Sequence, residues 1–330
     1  MRIGLRSSAL VALAALVAAP APRATAQAPA TAYPGADPGA DEWYMPTADK
    51  KVSIYVRELG TGSDTVVVVH GGFGVDHSYL LPAVRGLESS AHFVFYDQRG
   101  SLRSPAADSL ISVQAHIRDL EELRQSLGLE RMTLVAHSMG TWLAMSYLQA
   151  HPDRVRGLIL LGAIPPVSDS GLGDANKYGT VMMNRPEVTA ELHRLGLDTP
   201  TLTPRQATHA WRVRFAAVNV YHVDRWPLMQ GSGRAFYNGS AGNAASRTMP
   251  ARWDFMPVLR AHPCPVYVMV GTDDYVDWRA EKWQAAAKTL PALRLTILPQ
   301  AGHASWIDQP ELVRTTLDGA LRESARCLAR

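Results

Sequence analysis

The sequence predicts an α/β fold: a mostly parallel, doubly wound sheet with a helical cap inserted after the strand at 157–164. Three observations carry this expectation. Short apolar or β-branched runs at residues 65–69, 93–96, 132–136 and 157–161 read as strands buried on both faces. Runs of helical period separate several of them, and such alternation puts helices on both faces of one sheet. Between about residues 165 and 256 no strand-like run occurs, and the alternation then resumes.

Taken in order, residues 1–26 read as a secretory signal peptide. Arg2 and Arg6 precede an apolar run at 9–19, and Ala24-Thr25-Ala26 has the A-x-A form of a cleavage site. The run is too short to span a bilayer. The expected location is therefore periplasmic or extracellular, with no membrane span after cleavage. Residues 27–45, rich in Ala, Pro and Gly, read as a linker. The core is expected over 46–164 and 257–330, with the cap over 165–256. Residues 51–58 alternate, with Val52, Ile54 and Val56 on one face. Residues 112–127 form an amphipathic helix through Val113, Ile117, Leu120 and Leu123, stopped by Gly128. In the cap, 187–195 and 204–220 read as helices, and glycine-rich turns fall at 171–173, 231–233 and 239–242. A strand at 266–270, a helix at 278–290, a strand at 293–298 and a helix at 310–328 complete the chain.

Composition bounds the function classes. The chain has 330 residues, 47% hydrophobic and 19% charged, which suits a globular protein rather than a disordered one. The net charge of +3 comes from 33 Lys and Arg against 30 Asp and Glu; Arg2, Arg6 and Arg23 lie in the signal segment, which has no acid, so 30 basic residues remain against 30 acids. No electrostatic footprint for nucleic acid is left. The two cysteines, Cys264 and Cys327, are a candidate disulfide in an exported protein. Cys264 precedes a strand and Cys327 closes the last helix, which returns antiparallel to the strands, so the two sulfurs can meet.

The chemistry concentrates at Leu134-Val135-Ala136-His137-Ser138-Met139-Gly140-Thr141-Trp142. An apolar run ends at a small-x-Ser-x-Gly turn and a helical run follows at once, the setting of a nucleophile elbow. Ala136 stands where the usual pattern has glycine. A serine hydroxyl needs a base, most often a histidine oriented by a carboxylate, and in this setting the chain order is Ser, acid, His. The acid is expected just past the 266–270 strand, where Asp273, Asp274 and Asp277 compete; a G-x-x-D spacing from Gly271 selects Asp274. The base is expected after the last strand, where His303 follows Gly302. Two backbone N–H groups must meet the developing oxyanion. Met139 supplies one, and the loop His70-Gly71-Gly72-Phe73-Gly74 the other, through Gly72 or its neighbour Phe73. Trp211, Tyr221, Trp226 and Met229 are the candidate pocket lining. No metal-binding, phosphate-binding or dinucleotide motif is present, and no cofactor is expected.

With these motifs in place, the chain resembles the α/β-hydrolases, and within them the prolyl aminopeptidase (proline iminopeptidase) branch. The HGG-x-G loop at 70–74, Asp97-Gln98-Arg99-Gly100-Ser101, the helix segment Asp119-Leu120-Glu121-Glu122-Leu123-Arg124, and Trp142 after the elbow carry the resemblance. It covers most of residues 50–330 and is weakest in the cap. It implies an α/β-hydrolase fold and, together with the expected signal segment, an exported serine hydrolase acting through Ser138, His303 and Asp274 on small esters, amides or short peptides. The chain departs from the branch in three places. Leu102 replaces a glycine, the elbow is A-H-S-M-G instead of G-G-S-W-G, and Phe215 stands where the branch has a cap glutamate for the substrate amine, with Arg214 bringing the opposite charge. Glu187 and Glu191, one helical turn apart, are the cap acids that could take that glutamate's place. The alternatives are a carboxylesterase without aminopeptidase activity and a non-catalytic ligand-binding protein of the same fold.

Overall fold

A computed structural model describes residues 40–230 and 237–327. The expected signal segment, residues 27–39 of the expected linker and the glycine turn at 231–233 lie outside the described residues.

The main sheet is built from β1 (Asp41–Pro46), β2 (Ser53–Leu59), β3 (Thr65–Val69), β4 (His92–Tyr96), β5 (Met132–His137) and β6 (Val155–Leu161), joined later in the chain by β9 (Val266–Gly271) and β10 (Leu293–Leu298). Its order is β1-β2-β4-β3-β5-β6-β9-β10. The β1–β2 and β2–β4 pairs are antiparallel and the rest parallel. Alternate strand residues point to opposite faces, and each face has its own apolar cluster. Val67, Val69, Leu134, Ala136, Leu158 and Leu160 belong to one. Val66, Val68, Val135, Ile159 and Leu161 belong to the other. Burial on both sides is why these strands read as unbroken apolar runs.

The first face is covered by α1 (Val113–Ser126) and α2 (Met139–Ala150). The Ser112 side chain caps α1 by accepting from the Ala115 N–H. Next come β7 (Val167–Ser168), then α3 (Gly173–Met183), α4 (Pro186–Arg194), α5 (Pro204–Val218) and α6 (Gly239–Ser246), closed by β8 (Trp253–Asp254) and α7 (Met256–Ala261). A capping box between Thr203 and Gln206 starts α5. Then α8 (Glu281–Ala287), α9 (Ser305–Asp308) and α10 (Pro310–Arg326) complete the chain. Cys264 and Cys327 are joined by a disulfide with Cα atoms 6.0 Å apart. No helix among the described residues is long and apolar enough to cross a membrane.

Several boundaries differ from the sequence expectation, each for a local reason. The expected linker runs to residue 45, but β1 begins at Asp41, where Trp43 and Met45 pair antiparallel with the exposed edge of β2. The strand expected at 157–164 runs from Val155 to Leu161, because Gly162 adopts φ +50° and turns the chain out of the sheet. The cap contains strand after all: β7 and β8 pair through Val167↔Asp254 and Ser168↔Trp253 at the point where the cap leaves and re-enters the core. Two residues per strand are too short for a period to register. The glycines at 239–242 open α6, with the Asn238 side chain capping it, rather than forming a turn. The helix expected at 278–290 is broken by positive φ at Arg279 and Ala280, and a short 3₁₀ turn precedes α8.

Candidate active site

Ser138 sits between β5 and α2 at φ 55° and ψ −128°, a strained conformation for a residue with a side chain. The backbone here is crowded from behind. A Cβ on Gly140 would collide with the carbonyl oxygens of Val69 and His70, so the second small residue of the turn has to be glycine. Ala136 is fully buried and is accommodated in the cluster on the first sheet face. Ser138 and His303 both line one cavity of about 240 Å3.

His303 lies on the loop after β10, between Ala301 and α9, and is 1% exposed. Its Nδ1 donates to Asp274 Oδ1 at 2.8 Å, and the same oxygen accepts from the Val276 N–H at 2.9 Å. That bond leaves Nε2 as the acceptor nitrogen, and Nε2 has no partner among the described residues. The neighbouring acids are placed elsewhere. Asp273 accepts from the Thr272 hydroxyl at 2.7 Å and borders a separate surface groove. Asp277 accepts from the N–H groups of Lys282 and Trp283, at the start of α8.

Met139 opens α2, so its N–H has no intrahelical acceptor. Gly72 adopts φ +63° and lines the cavity beside it. The Gly71 N–H is unavailable, because it donates to Tyr79 Oη at 2.7 Å. Phe73, the expected alternative to Gly72, does not line the cavity. Its ring turns inward and stacks on His116 at 4.8 Å.

The Asp97–Ser101 stretch is a brace. Gln98 donates through its side chain to the His70 carbonyl at 2.7 Å, and its N–H to His70 Nε2 at 3.0 Å. Arg99 makes a two-point bond to buried Asp119 of α1 and a third bond to the Leu110 carbonyl. The glycine loop is thus held against the sheet from below. Asp76, His77 and Asp97 form a buried cluster whose ligand atoms lie within 4.8 Å. Their oxygens already accept N–H groups: Asp97 from His77 and Arg103, and Asp76 from Ser78. That donor set fits a hydrogen-bonded support rather than a metal site.

Two residues that carried no sequence signal of their own lock the site together. The Tyr79 hydroxyl, which accepts from Gly71, lies 2.8 Å from His137 Nδ1, and His137 Nε2 lies 3.2 Å from the His303 carbonyl. With Tyr79 donating to Nδ1, the Nε2–H of His137 donates to that carbonyl. A single chain of bonds therefore links the glycine loop, the elbow and the His303 loop. Burial holds His137 well below its ordinary pKa, and the adjacent His303 acts in the same direction, so the ring stays neutral.

His116 carries a stability cost that pH reveals. Burial, helped by the charge of Arg99, pushes its pKa from 6.5 down to about 3, and neither ring nitrogen has a partner among the described residues. Below the unfolded value the unfolded chain binds a proton that the folded chain refuses. Stability is therefore lost as pH falls from 6.5 towards about 3. At about pH 4.5 the loss is roughly 2–3 kcal/mol. His116→Phe keeps the stack on Phe73 and removes the titration. Its melting temperature should rise relative to the parent as pH drops from about 7.5 to about 4.5. Parallel curves for the two proteins over that range would refute the assignment.

The remaining pocket expectations divide. Trp211 and Met229 line the cavity, together with Phe215 and Tyr237. Trp211 stacks on Phe215 at 5.2 Å, and Tyr237 lies 6.1 Å from Trp211. Tyr221 and Trp226 do not line it. Tyr221 borders the separate groove, and buried Trp226 donates its Nε1–H to Glu191 at 2.7 Å. Glu187 and Glu191 also lie at that groove and so cannot replace the missing cap glutamate in the cavity. The arginine on the cavity wall is Arg212, not the expected Arg214. Helical rotation decides this, and adjacent residues point about 100° apart.

A family profile described as alpha/beta hydrolase fold matches residues 64–310. The chain belongs to the α/β-hydrolases. A putative carbamate hydrolase, RutD, of Caulobacter sp. (strain K31) is 27% identical over 76% of this hydrolase and 89% of the relative. A proline iminopeptidase of Saccharolobus solfataricus is 35% identical, over 35% of this chain and 39% of that protein. Among solved structures, a proline iminopeptidase-related protein from Thermus thermophilus superposes with a TM-score of 0.61. It is 26% identical, over 86% of this chain and 98% of that one. This α/β-hydrolase is thus an enzyme of hydrolase fold that resembles the proline iminopeptidase branch.

Proposed function

We propose that this α/β-hydrolase is an exported serine hydrolase of small carboxylic esters. The observation that carries the reading is the 2.8 Å bond from His303 Nδ1 to Asp274 Oδ1. It holds the imidazole on the wall of the cavity that Ser138 shares, with Nε2 left to accept a proton. Ser138 Oγ attacks the ester carbonyl as its proton passes to His303 Nε2. The N–H groups of Gly72 and Met139 receive the oxyanion. The alcohol leaves with the proton from His303, and a water activated by the same nitrogen releases the acid from Ser138.

An ester fits the cavity better than an aminopeptidase substrate does. Phe215 and Arg212 line the wall, so an ammonium group meets no carboxylate there and a like charge beside it. Among the described residues the one acid on the lining, Asp76, is 2% exposed and already engaged by the Ser78 N–H. The A-x-A segment at 24–26 and the Cys264–Cys327 disulfide support export.

The test is a comparison of a short acyl nitrophenyl ester with a proline arylamide on the exported protein, whose intact mass reads whether the chain starts at Gln27. The ester should be cleaved with the higher kcat/KM by about a hundredfold or more. Preference for the arylamide would reverse the reading in favour of a proline iminopeptidase.

A further inference from the structure

Arg212 is a cation on an otherwise largely apolar wall. It is half-buried on α5 and lines the cavity next to Trp211 and Phe215. Among the described residues it makes no ion pair and no side-chain hydrogen bond, unlike Arg185, Arg194 and Arg225 in the same cap, whose guanidinium groups all have acceptors. The acid on the cavity lining is not its counter-ion. Asp76 lies 4.0 Å from the guanidinium of Arg103 and accepts from Ser78. Asp274 is held by His303 and Val276. Among the described residues the cavity therefore presents one uncompensated positive charge, on a wall it shares with Trp211, Phe215, Tyr237 and Met229.

We propose that the preferred ester carries a carboxylate, held by Arg212 while the aromatic cluster covers the apolar stem between that carboxylate and the scissile carbonyl. The inference rests on the serine hydrolase reading and adds the charge of the substrate to it. A guanidinium offers two parallel donors that match a carboxylate. A cavity of about 240 Å3 is below the ~300–1,000 Å3 of drug-sized sites, which points to a short half-ester of a dicarboxylic acid rather than a long acyl chain. A free amine in the same place would meet like charge, so one residue selects for one substrate class and against the other.

Three 4-nitrophenyl esters of equal chain length test this, ending in a carboxylate, its methyl ester or an ammonium group. Wild-type kcat/KM should favour the carboxylate over the methyl ester by about tenfold or more. Arg212→Gln should bring that ratio to about one, mainly through KM. Arg212→Glu should move the preference to the ammonium ester. Arg214→Gln, one charge removed two residues away and off the cavity lining, should keep the wild-type ratio. Equal use of the carboxylate and methyl esters by the wild type, or a ratio that survives Arg212→Gln, would overturn the proposal and leave the serine hydrolase reading standing. Failure to cleave any of the three, with no fluorophosphonate adduct on Ser138, would overturn both.

Discussion

Ser138→Ala should lower kcat by about 10⁶, leaving only the slow turnover that oxyanion donors and binding supply without a nucleophile. The fold should survive. Ser138 Oγ makes no hydrogen bond among the described residues and does not cap α2, so its removal strands no buried partner. The strain at φ 55° belongs to the backbone and is the same for alanine. Steady-state rates, a thermal melt and labelling by a fluorophosphonate probe check the three parts. The variant should melt within a few degrees of the parent and take no label. Retention of near-parental rates by a folded variant would remove Ser138 from the mechanism.

Asp274→Asn should cost about 10⁴ in kcat, because an amide in that place can present N–H to His303 and turn the ring to the tautomer that cannot accept the serine proton. The same carboxylate oxygen also accepts from the Val276 N–H, so an amide turned with its N–H to His303 gives up that bond, and one turned the other way keeps it but lacks the charge that stabilises the imidazolium. Asp273→Asn is the matched control. Its carboxylate accepts from Thr272 and borders a different groove, and its rate should stay within about threefold of the parent. A larger loss from Asp273→Asn than from Asp274→Asn would mean that the loop rearranges on binding substrate and that the acid has been misidentified.

The contrast between these two aspartates shows where reading the chain stops. Both follow β9 and both suit an acidic loop after a strand. The G-x-x-D spacing points to Asp274, but only the turn at Gly271–Val276 decides which carboxylate meets an imidazole 29 residues further on. The same holds for the cap. Its helices α4 and α5 have periods that can be read from sequence, yet Tyr221, just past α5, borders the separate groove and Trp226 is bonded to Glu191, while Arg212 falls in the cavity. Aromatic residues on a cap helix look alike until the neighbouring helix is in place. The bond between Tyr79 and His137 left no pattern in the sequence, since it joins a 3₁₀ turn to the end of a strand 58 residues away.

What the sequence alone determined is local and periodic. Runs buried on both faces specify the parallel strands, the strand–turn–helix junction specifies where Ser138 stands, and chain order narrows the proposed acid and base to two short loops. These follow from steric rules that act over a few residues. The tertiary structure alone decided the choice among neighbouring acids, the face each cap residue presents, the strand pair at the base of the cap, and the use of Asp97–Ser101 as a brace. Those depend on which side chains meet across long loops, and a pairing between distant segments leaves no period in either one.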